Sequence, residues 1–172
     1  MTRKALFLDR DGVINEEINY LHRIEDVVFV EGIFELVRRA RAKGFLVIVV
    51  TNQAGIGRGY YTEDDFHILM SWMKREFTLA DAEIDAVYFC PHHPTHGIGR
   101  YRKDCSCRKP KPGMLVKASA DYQVDFSQSA MLGDKQSDLI AAERAGVAFR
   151  FLVAAENPAG SLQQIMCSEP FC

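Results

Sequence analysis

Short apolar runs alternate with segments of helical periodicity along most of the chain. The runs are Ala5 to Leu8, Phe45 to Val50, Ala86 to Phe89, Ala130 to Leu132 and Ala148 to Val153. Most are continuous rather than alternating with polar residues, as expected for strands that are buried on both faces of a parallel sheet. The pattern therefore predicts an α/β fold with a parallel central sheet.

Helical segments are predicted between these strands. Apolar residues recur at helical spacing from Ile33 and again after Thr62 and Asp65, which have the spacing of a capping box. Pro112 opens a third helix, and a fourth is expected near Gln136 to Ala145. Helical crossovers make all the strands parallel, so their carboxyl ends share one edge of the sheet, where ligands bind.

The composition describes an ordinary globular chain. It has 172 residues, of which 48% are hydrophobic and 26% charged, so we expect one domain over residues 1–172. The formal net charge of -2 gives no field that would gather nucleic acid or anionic membrane. No apolar run approaches the ~20 residues of a membrane span, and none resembles a signal peptide. We therefore expect a soluble, cytoplasmic monomer that acts on a small molecule.

Polar residues with metal-binding and catalytic potential follow three of the predicted strands. Asp9 and Asp11 come directly after the first strand, Thr51 and a glycine-rich loop follow the second, and Asp134 and Asp138 follow the fourth. Mg²⁺ prefers carboxylate oxygens and water as ligands. Carboxylates, a hydroxyl and a metal at one sheet edge are the components that phosphoryl transfer requires.

Three of the five cysteines and a nearby histidine have the composition of a structural zinc site. The expected ligands are Cys90, His92, Cys105 and Cys107. His93 and His96 remain open alternatives for the imidazole ligand. We call residues 90–107 the zinc loop. Arg108 and Lys109 follow it directly, so bound zinc would fix where these two side chains point, without acting as a Lewis acid. A zinc-loop module that binds nucleic acid or protein is the competing interpretation, which the net charge opposes.

The ordered motifs Asp-x-Asp-Gly, Thr, Lys and Gly-Asp-x-x-x-Asp over residues 6–146 resemble the haloacid dehalogenase superfamily of phosphatases. The resemblance implies a Rossmann-like three-layer sandwich. It also implies that Asp9 attacks phosphorus, that Asp11 is the general acid and base, and that Thr51 and Lys109 bind the transferring phosphoryl oxygens. The magnesium ligands that it implies are Asp9, the backbone carbonyl of Asp11, and Asp134, with Asp138 in support.

Longer motifs narrow the resemblance. Asp-Arg-Asp-Gly-Val-Ile-Asn, Thr-Asn-Gln-Ala-Gly-Ile-Gly-Arg-Gly and Cys-Pro-His-His-Pro are similar to the zinc-containing family that removes the 7-phosphate of D-glycero-D-manno-heptose 1,7-bisphosphate. The alternative within the superfamily is histidinol-phosphate phosphatase. The substrate contacts implied by the resemblance are Glu17, Ile18, Asn19, Tyr20, Thr51, Asn52, Gln53, Ala54, Arg108, Lys109 and Lys135. The chain has no segment long enough for a large cap domain.

The chain departs from this family after the last predicted strand. Members usually continue through Arg-Thr-Gly, whereas this sequence reads Phe-Leu-Val-Ala-Ala-Glu from Phe151. No structure is assigned beyond Ala155. Cys167 and Cys172 have no metal-type spacing and are expected to be free thiols.

Overall fold

The computed structural model describes residues 1–172 and contains one five-stranded sheet in which every pairing is parallel. The strands are β1 (Ala5–Leu8), β2 (Leu46–Asn52), β3 (Ala86–Cys90), β4 (Ala130–Gly133) and β5 (Phe149–Leu152). Their order across the sheet is β3-β2-β1-β4-β5, which places β1 at the centre. The parallel sheet predicted from the apolar runs is confirmed.

Six α-helices accompany the sheet. They are α1 (Ile33–Ala42), α2 (Ala54–Gly57), α3 (Glu63–Leu79), α4 (Gly113–Tyr122), α5 (Gln136–Ala145) and α6 (Pro158–Met166). The predicted capping box at α3 is present, because the Thr62 side chain accepts from the Asp65 amide and Asp65 accepts from the Thr62 amide. None of the helices combines the length and the apolar character that a membrane crossing requires.

The side chains of β1 alternate between two hydrophobic cores. Leu6 and Leu8 belong to the core under α1, α3 and α6, whereas Ala5 and Phe7 belong to the core under α4 and α5. All four are completely buried, and burying a Leu or Phe side chain stabilises a fold by roughly 1.5–3 kcal/mol. Helices therefore cover both faces of the sheet, and the three-layer α/β sandwich is confirmed.

Three segments differ from the sequence prediction. Ala54–Gly57, within the predicted glycine-rich loop, forms the short helix α2. Strand β2 extends through Asn52, because Thr51 and Asn52 pair with Phe89 and Cys90 of β3. The chain after Ala155, which received no assignment, forms α6. This helix begins after Asn157, whose side chain accepts from the Gly160 amide, and its apolar face packs against α1.

Candidate active site

The carboxyl ends of β1, β2 and β4 surround a polar cavity of about 220 Å³. Of the residues that the sequence predicts as catalytic, metal-binding or substrate-binding, the structure places these around it: Asp9, Asp11, Glu17, Asn19, Tyr20, Asn52, Gln53, Ala54, Lys109, Lys135 and Asp138. The adjacency follows from the fold, since parallel strands bring their carboxyl ends to one edge. Only three of the 14 lining residues are hydrophobic, so the cavity suits a polar, charged ligand.

Lys109 lies at the floor of this cavity between two carboxylates. Its Nζ donates to Asp9 Oδ1 at 2.9 Å and to the Val50 carbonyl at 2.7 Å, and it lies 2.7 Å from Asp138 Oδ1. The lysine side chain is 1% exposed. Burial alone would lower the pKa of Lys109, but the negative charges of Asp9 and Asp138 outweigh it and raise that pKa. Lys109 therefore remains a cation inside the protein.

Asn52 fixes the backbone that carries this lysine. The Lys109 amide donates to Asn52 Oδ1 at 3.0 Å, and Asn52 Nδ2 donates to the Lys109 carbonyl at 3.1 Å. The Asn52 side-chain amide thus satisfies both the backbone N–H and the backbone carbonyl of Lys109. The residues that follow the zinc loop are thereby attached to the end of β2.

The carboxylate of Asp11 is held by three side chains. Arg10 donates to it through Nε at 3.2 Å and through Nη2 at 3.0 Å, Asn15 Nδ2 donates at 3.1 Å, and Gln53 Nε2 donates at 3.1 Å. The Arg10 side chain is 1% exposed, whereas Asp11 is 18% exposed and lines the cavity. Several hydrogen bonds of this kind hold the Asp11 carboxylate in one orientation.

Three other carboxylates form a candidate magnesium site. Oxygen atoms of Asp9, Asp134 and Asp138 lie within 4.8 Å of one another. Asp134 Oδ1 is buried and has no hydrogen-bond partner, which is costly unless a cation compensates it. Burial and the charge of Asp9 raise the pKa of Asp134 to about 7. The donor set is the all-oxygen type that Mg²⁺ uses, and the residues fit the ion.

Gly12 allows Asp134 to approach the first motif. Its φ is +85°, and a Cβ atom built there would lie 2.3 Å from Asp134 Oδ2. Any larger residue at this position would push the carboxylate away from Asp9. The glycine of Asp-x-Asp-Gly is therefore needed for both its backbone conformation and its lack of a side chain.

The four residues predicted to bind zinc lie together where the two ends of the zinc loop meet. The three sulfur atoms are 3.1–3.5 Å apart, and His92 Nδ1 lies 3.4 Å from Cys107 Sγ and 3.6 Å from Cys90 Sγ. These spacings approximate a tetrahedron around a metal with Zn–S bonds of ~2.3 Å. The neighbouring thiols, above all Cys90, lower the pKa of Cys107 to about 5. The donor set fits structural zinc.

The alternative histidines lie outside this group of four. His93 Nδ1 accepts hydrogen bonds from the backbone amides of Thr95 and His96. This nitrogen is therefore engaged within its own turn. The geometry favours His92 over both alternatives as the imidazole ligand.

Three predicted substrate contacts do not line the cavity. Thr51 is completely buried, and its Oγ1 accepts from Gln53 Nε2 at 2.8 Å. Ile18 is 42% exposed on the loop beside the cavity. Arg108 lines a separate cavity on the zinc loop, where its Nη1 donates to the His92 carbonyl. The roles assigned to these residues remain predictions.

Sequence reasoning missed several residues of the site. Tyr61 and Ser137 line the cavity, and Arg10 and Asn15 hold Asp11. The signal for Arg10 was its position between two carboxylates in a segment that ends a buried strand. Tyr61 gave no such signal, because its contact with Gln53 depends on how the chain turns after α2.

Comparisons with known proteins give a consistent result. The family profile described as HAD-hydrolase-like matches residues 106–159. The chain is 56% identical to D-glycero-alpha-D-manno-heptose-1,7-bisphosphate 7-phosphatase of Burkholderia mallei, over 89% of this chain and 81% of the relative. It is 46% identical to D-glycero-beta-D-manno-heptose-1,7-bisphosphate 7-phosphatase of Vibrio cholerae, over 92% and 85% of the two chains.

Solved structures share the fold. A HAD-like phosphatase from Mesorhizobium loti superposes with a TM-score of 0.85 at 31% identity, covering 96% of this chain and 87% of that one. The D,D-heptose 1,7-bisphosphate phosphatase of B. bronchiseptica, solved with magnesium and phosphate, gives a TM-score of 0.77 at 31% identity, covering 94% and 86%. The likeness therefore extends over nearly the whole chain.

Proposed function

The chain belongs to the family of D-glycero-D-manno-heptose-1,7-bisphosphate 7-phosphatases, within the haloacid dehalogenase-like hydrolases, and from this premise we propose how its residues perform the reaction. The enzyme releases the 7-phosphate of the heptose bisphosphate and leaves heptose 1-phosphate for nucleotide-heptose biosynthesis. The observation that carries the proposal is the buried Lys109 between Asp9 and Asp138, with the unpartnered Asp134 oxygen beside them.

Asp9 is the proposed nucleophile. Its Oδ1 accepts from Lys109 Nζ and from the Arg10 amide at 2.9 Å, so the carboxylate is held in one orientation. Burial raises the pKa of Asp9, and the adjacent Lys109 opposes that shift. Attack on phosphorus forms an aspartyl phosphate and releases the sugar oxygen of carbon 7.

Asp11 is the proposed general acid and base. As an acid it gives a proton to the departing sugar oxygen, and as a base it then takes a proton from the water that hydrolyses the aspartyl phosphate. The Asp11 carboxylate lines the cavity and is paired with Arg10, the residue between Asp9 and Asp11. The same group thus serves both half-reactions in opposite protonation states.

Two metals complete the proposal. Asp9 and Asp134, with the backbone carbonyl of Asp11 and with Asp138 in support, would hold Mg²⁺, which offsets the repulsion between the nucleophile and the phosphate dianion. Cys90, His92, Cys105 and Cys107 would hold structural Zn²⁺. With that loop closed and Asn52 bound to the Lys109 backbone, the Lys109 ammonium stays beside the Asp9 carboxylate that attacks the phosphoryl group.

The substrate would occupy the polar cavity, with its second phosphate beside Lys135. Glu17, Asn19, Tyr20 and Lys135 line the cavity around the place for the sugar. The Lys135 side chain is 64% exposed, and its Nζ lies 3.8 Å from Glu17 Oε2, so a phosphate oxygen can replace that weak partner. We further propose that the enzyme works as a monomer in the cytoplasm, where free cysteines persist.

Steady-state kinetics on four substrates tests this assignment. The substrates are the α and β anomers of D-glycero-D-manno-heptose 1,7-bisphosphate, heptose 7-phosphate, and histidinol phosphate. We expect the largest kcat/KM for one heptose bisphosphate anomer, with heptose 7-phosphate weaker because it lacks the second phosphate. A larger kcat/KM for histidinol phosphate would overturn the assignment of the substrate.

A further inference from the structure

The side-chain amide of Gln53 has no donor left for a substrate. Its Nε2 donates to Thr51 Oγ1 at 2.8 Å and to Asp11 Oδ2 at 3.1 Å, and its Oε1 accepts from the Tyr61 hydroxyl at 2.5 Å. An amide nitrogen carries two hydrogens, so both are in use. Gln53 is 2% exposed although it lines the cavity, so its amide is held mainly by protein groups.

The surroundings of Gln53 permit one orientation of its amide. The NH₂ group faces Asp11 Oδ2 and Thr51 Oγ1, and the amide oxygen faces the Tyr61 hydroxyl. Burial raises the pKa of Tyr61, so its hydroxyl stays protonated and can donate to the amide oxygen. The Tyr61 ring stacks on His22 with centroids 5.0 Å apart, and Gly55 lies so close that a Cβ there would be 2.3 Å from the ring. The ring is therefore fixed.

The orientation of the Gln53 amide affects two groups that take part in the proposed reaction, Asp11 and Thr51. At Asp11, Gln53 supplies a donor to Oδ2, whereas Asn15 donates to Oδ1 and Arg10 contacts both oxygens. At Thr51, the hydroxyl oxygen accepts from Gln53, so its own hydrogen is free for another acceptor. A phosphoryl oxygen is the acceptor that the proposed function supplies.

We propose that Tyr61 and Gln53 are positioning residues, with the Tyr61 hydroxyl holding the Gln53 amide so that it orients the Asp11 carboxylate and leaves the Thr51 hydroxyl as a donor. The proposal rests on the proposed phosphatase function for the roles of Asp11 and Thr51. Both residues line the cavity, but the Tyr61 hydroxyl and the Gln53 amide are already paired with protein groups. Their loss therefore slows the chemical steps more than it weakens substrate binding.

The test is Tyr61→Phe, which keeps the ring and removes the hydroxyl. We expect kcat for heptose bisphosphate to fall by about three- to tenfold, the effect of losing one hydrogen bond that acts in the transition state, with KM changed by less than about twofold. Tyr88→Phe is the matched control. It removes a hydroxyl that donates to Asp121 at 2.7 Å on the outer edge of the sheet, and its kinetics should equal those of the parent.

A double-mutant comparison separates positioning from binding. In a Gln53→Ala background, Tyr61→Phe should have no further effect on kcat, because its partner has gone. Gln53→Glu keeps an acceptor for Tyr61 but places a carboxylate against Asp11, so it should lower kcat more than Tyr61→Phe does. The Gln53→Glu variant also tests the proposal if Tyr61→Phe does not fold.

Two results would overturn the inference: a raised KM with unchanged kcat in Tyr61→Phe, or additive effects of the Tyr61 and Gln53 changes. A wrong substrate assignment would be visible in the parent enzyme alone. The same variants would then be compared on whichever phosphate monoester the parent hydrolyses.

Discussion

Replacing Lys109 by Met tests whether this lysine compensates two buried carboxylates. Methionine approximates the length of the lysine stem but carries no charge, so Asp9 and Asp138 would face each other without their shared cation. Both carboxylates are largely buried, with side-chain exposures of 10% and 2%. Water therefore cannot replace the lost partner.

The expected loss of stability in Lys109→Met is large. Breaking a buried ion pair by removing one partner costs about 3–5 kcal/mol of unfolding free energy. For a chain of this size, each kcal/mol shifts the melting temperature by roughly 2–4 °C, so Lys109→Met should melt about 6–20 °C below the parent. Activity should fall to background as well, because the nucleophile Asp9 loses the cation that donates to it.

Lys111→Met is the matched control. Lys111, two residues after Lys109, pairs with Asp104, but the side chains are 41% and 79% exposed. Exposed pairs contribute about 0–1 kcal/mol. Thermal unfolding of both variants would be followed by circular dichroism in chelator-treated buffer. The double variant Lys109→Met/Asp138→Asn should regain part of the lost stability, since one buried charge is removed. If Lys109→Met melted at the temperature of Lys111→Met, the buried-triad reasoning would be refuted.

Three further predictions follow from the site. Asp9→Asn should reduce turnover to background while the circular dichroism spectrum stays that of the parent; a folded variant with substantial activity would exclude the aspartyl-phosphate mechanism. EDTA should abolish activity, and added Mg²⁺ should restore activity while elemental analysis still finds zinc in the protein. Full activity in metal-free buffer would contradict the magnesium site. Cys107→Ala should lose the zinc that the parent holds, about one per chain. Its activity should be lower while its thermal unfolding remains cooperative. A zinc-free variant with the turnover of the parent would show that zinc stabilises the protein but does not position Lys109.

The sequence was sufficient for the sheet and for the positions of the main chemical groups. Buried parallel strands are continuous apolar runs, and the first such run ends directly at Asp9. Because the fold brings the strand ends together, the sequence alone places Asp9, Thr51 and Asp134 at one edge of the sheet. The closely spaced cysteines indicated the zinc loop in the same way.

Other features depend on tertiary contacts that leave no local pattern. The extension of β2 to Asn52 reflects pairing with β3, and α6 follows a segment that departs from the family pattern. The sequence predicted Gln53 as a substrate contact, which stays a prediction, but it gave no indication that its amide pairs with Asp11, Thr51 and Tyr61. Which partner an amide chooses depends on side chains distant in the sequence, so spacing alone could not decide it.

The most direct test of the central claim is the identity of the phosphate that the enzyme removes. Proton-coupled ³¹P NMR of a complete reaction with heptose 1,7-bisphosphate distinguishes the two ester positions, because the phosphate on carbon 1 couples to one proton and that on carbon 7 to two. The account predicts inorganic phosphate together with a sugar phosphate whose signal is a doublet, which is heptose 1-phosphate. A remaining triplet, which would mean that the phosphate on carbon 1 had been removed, would contradict it.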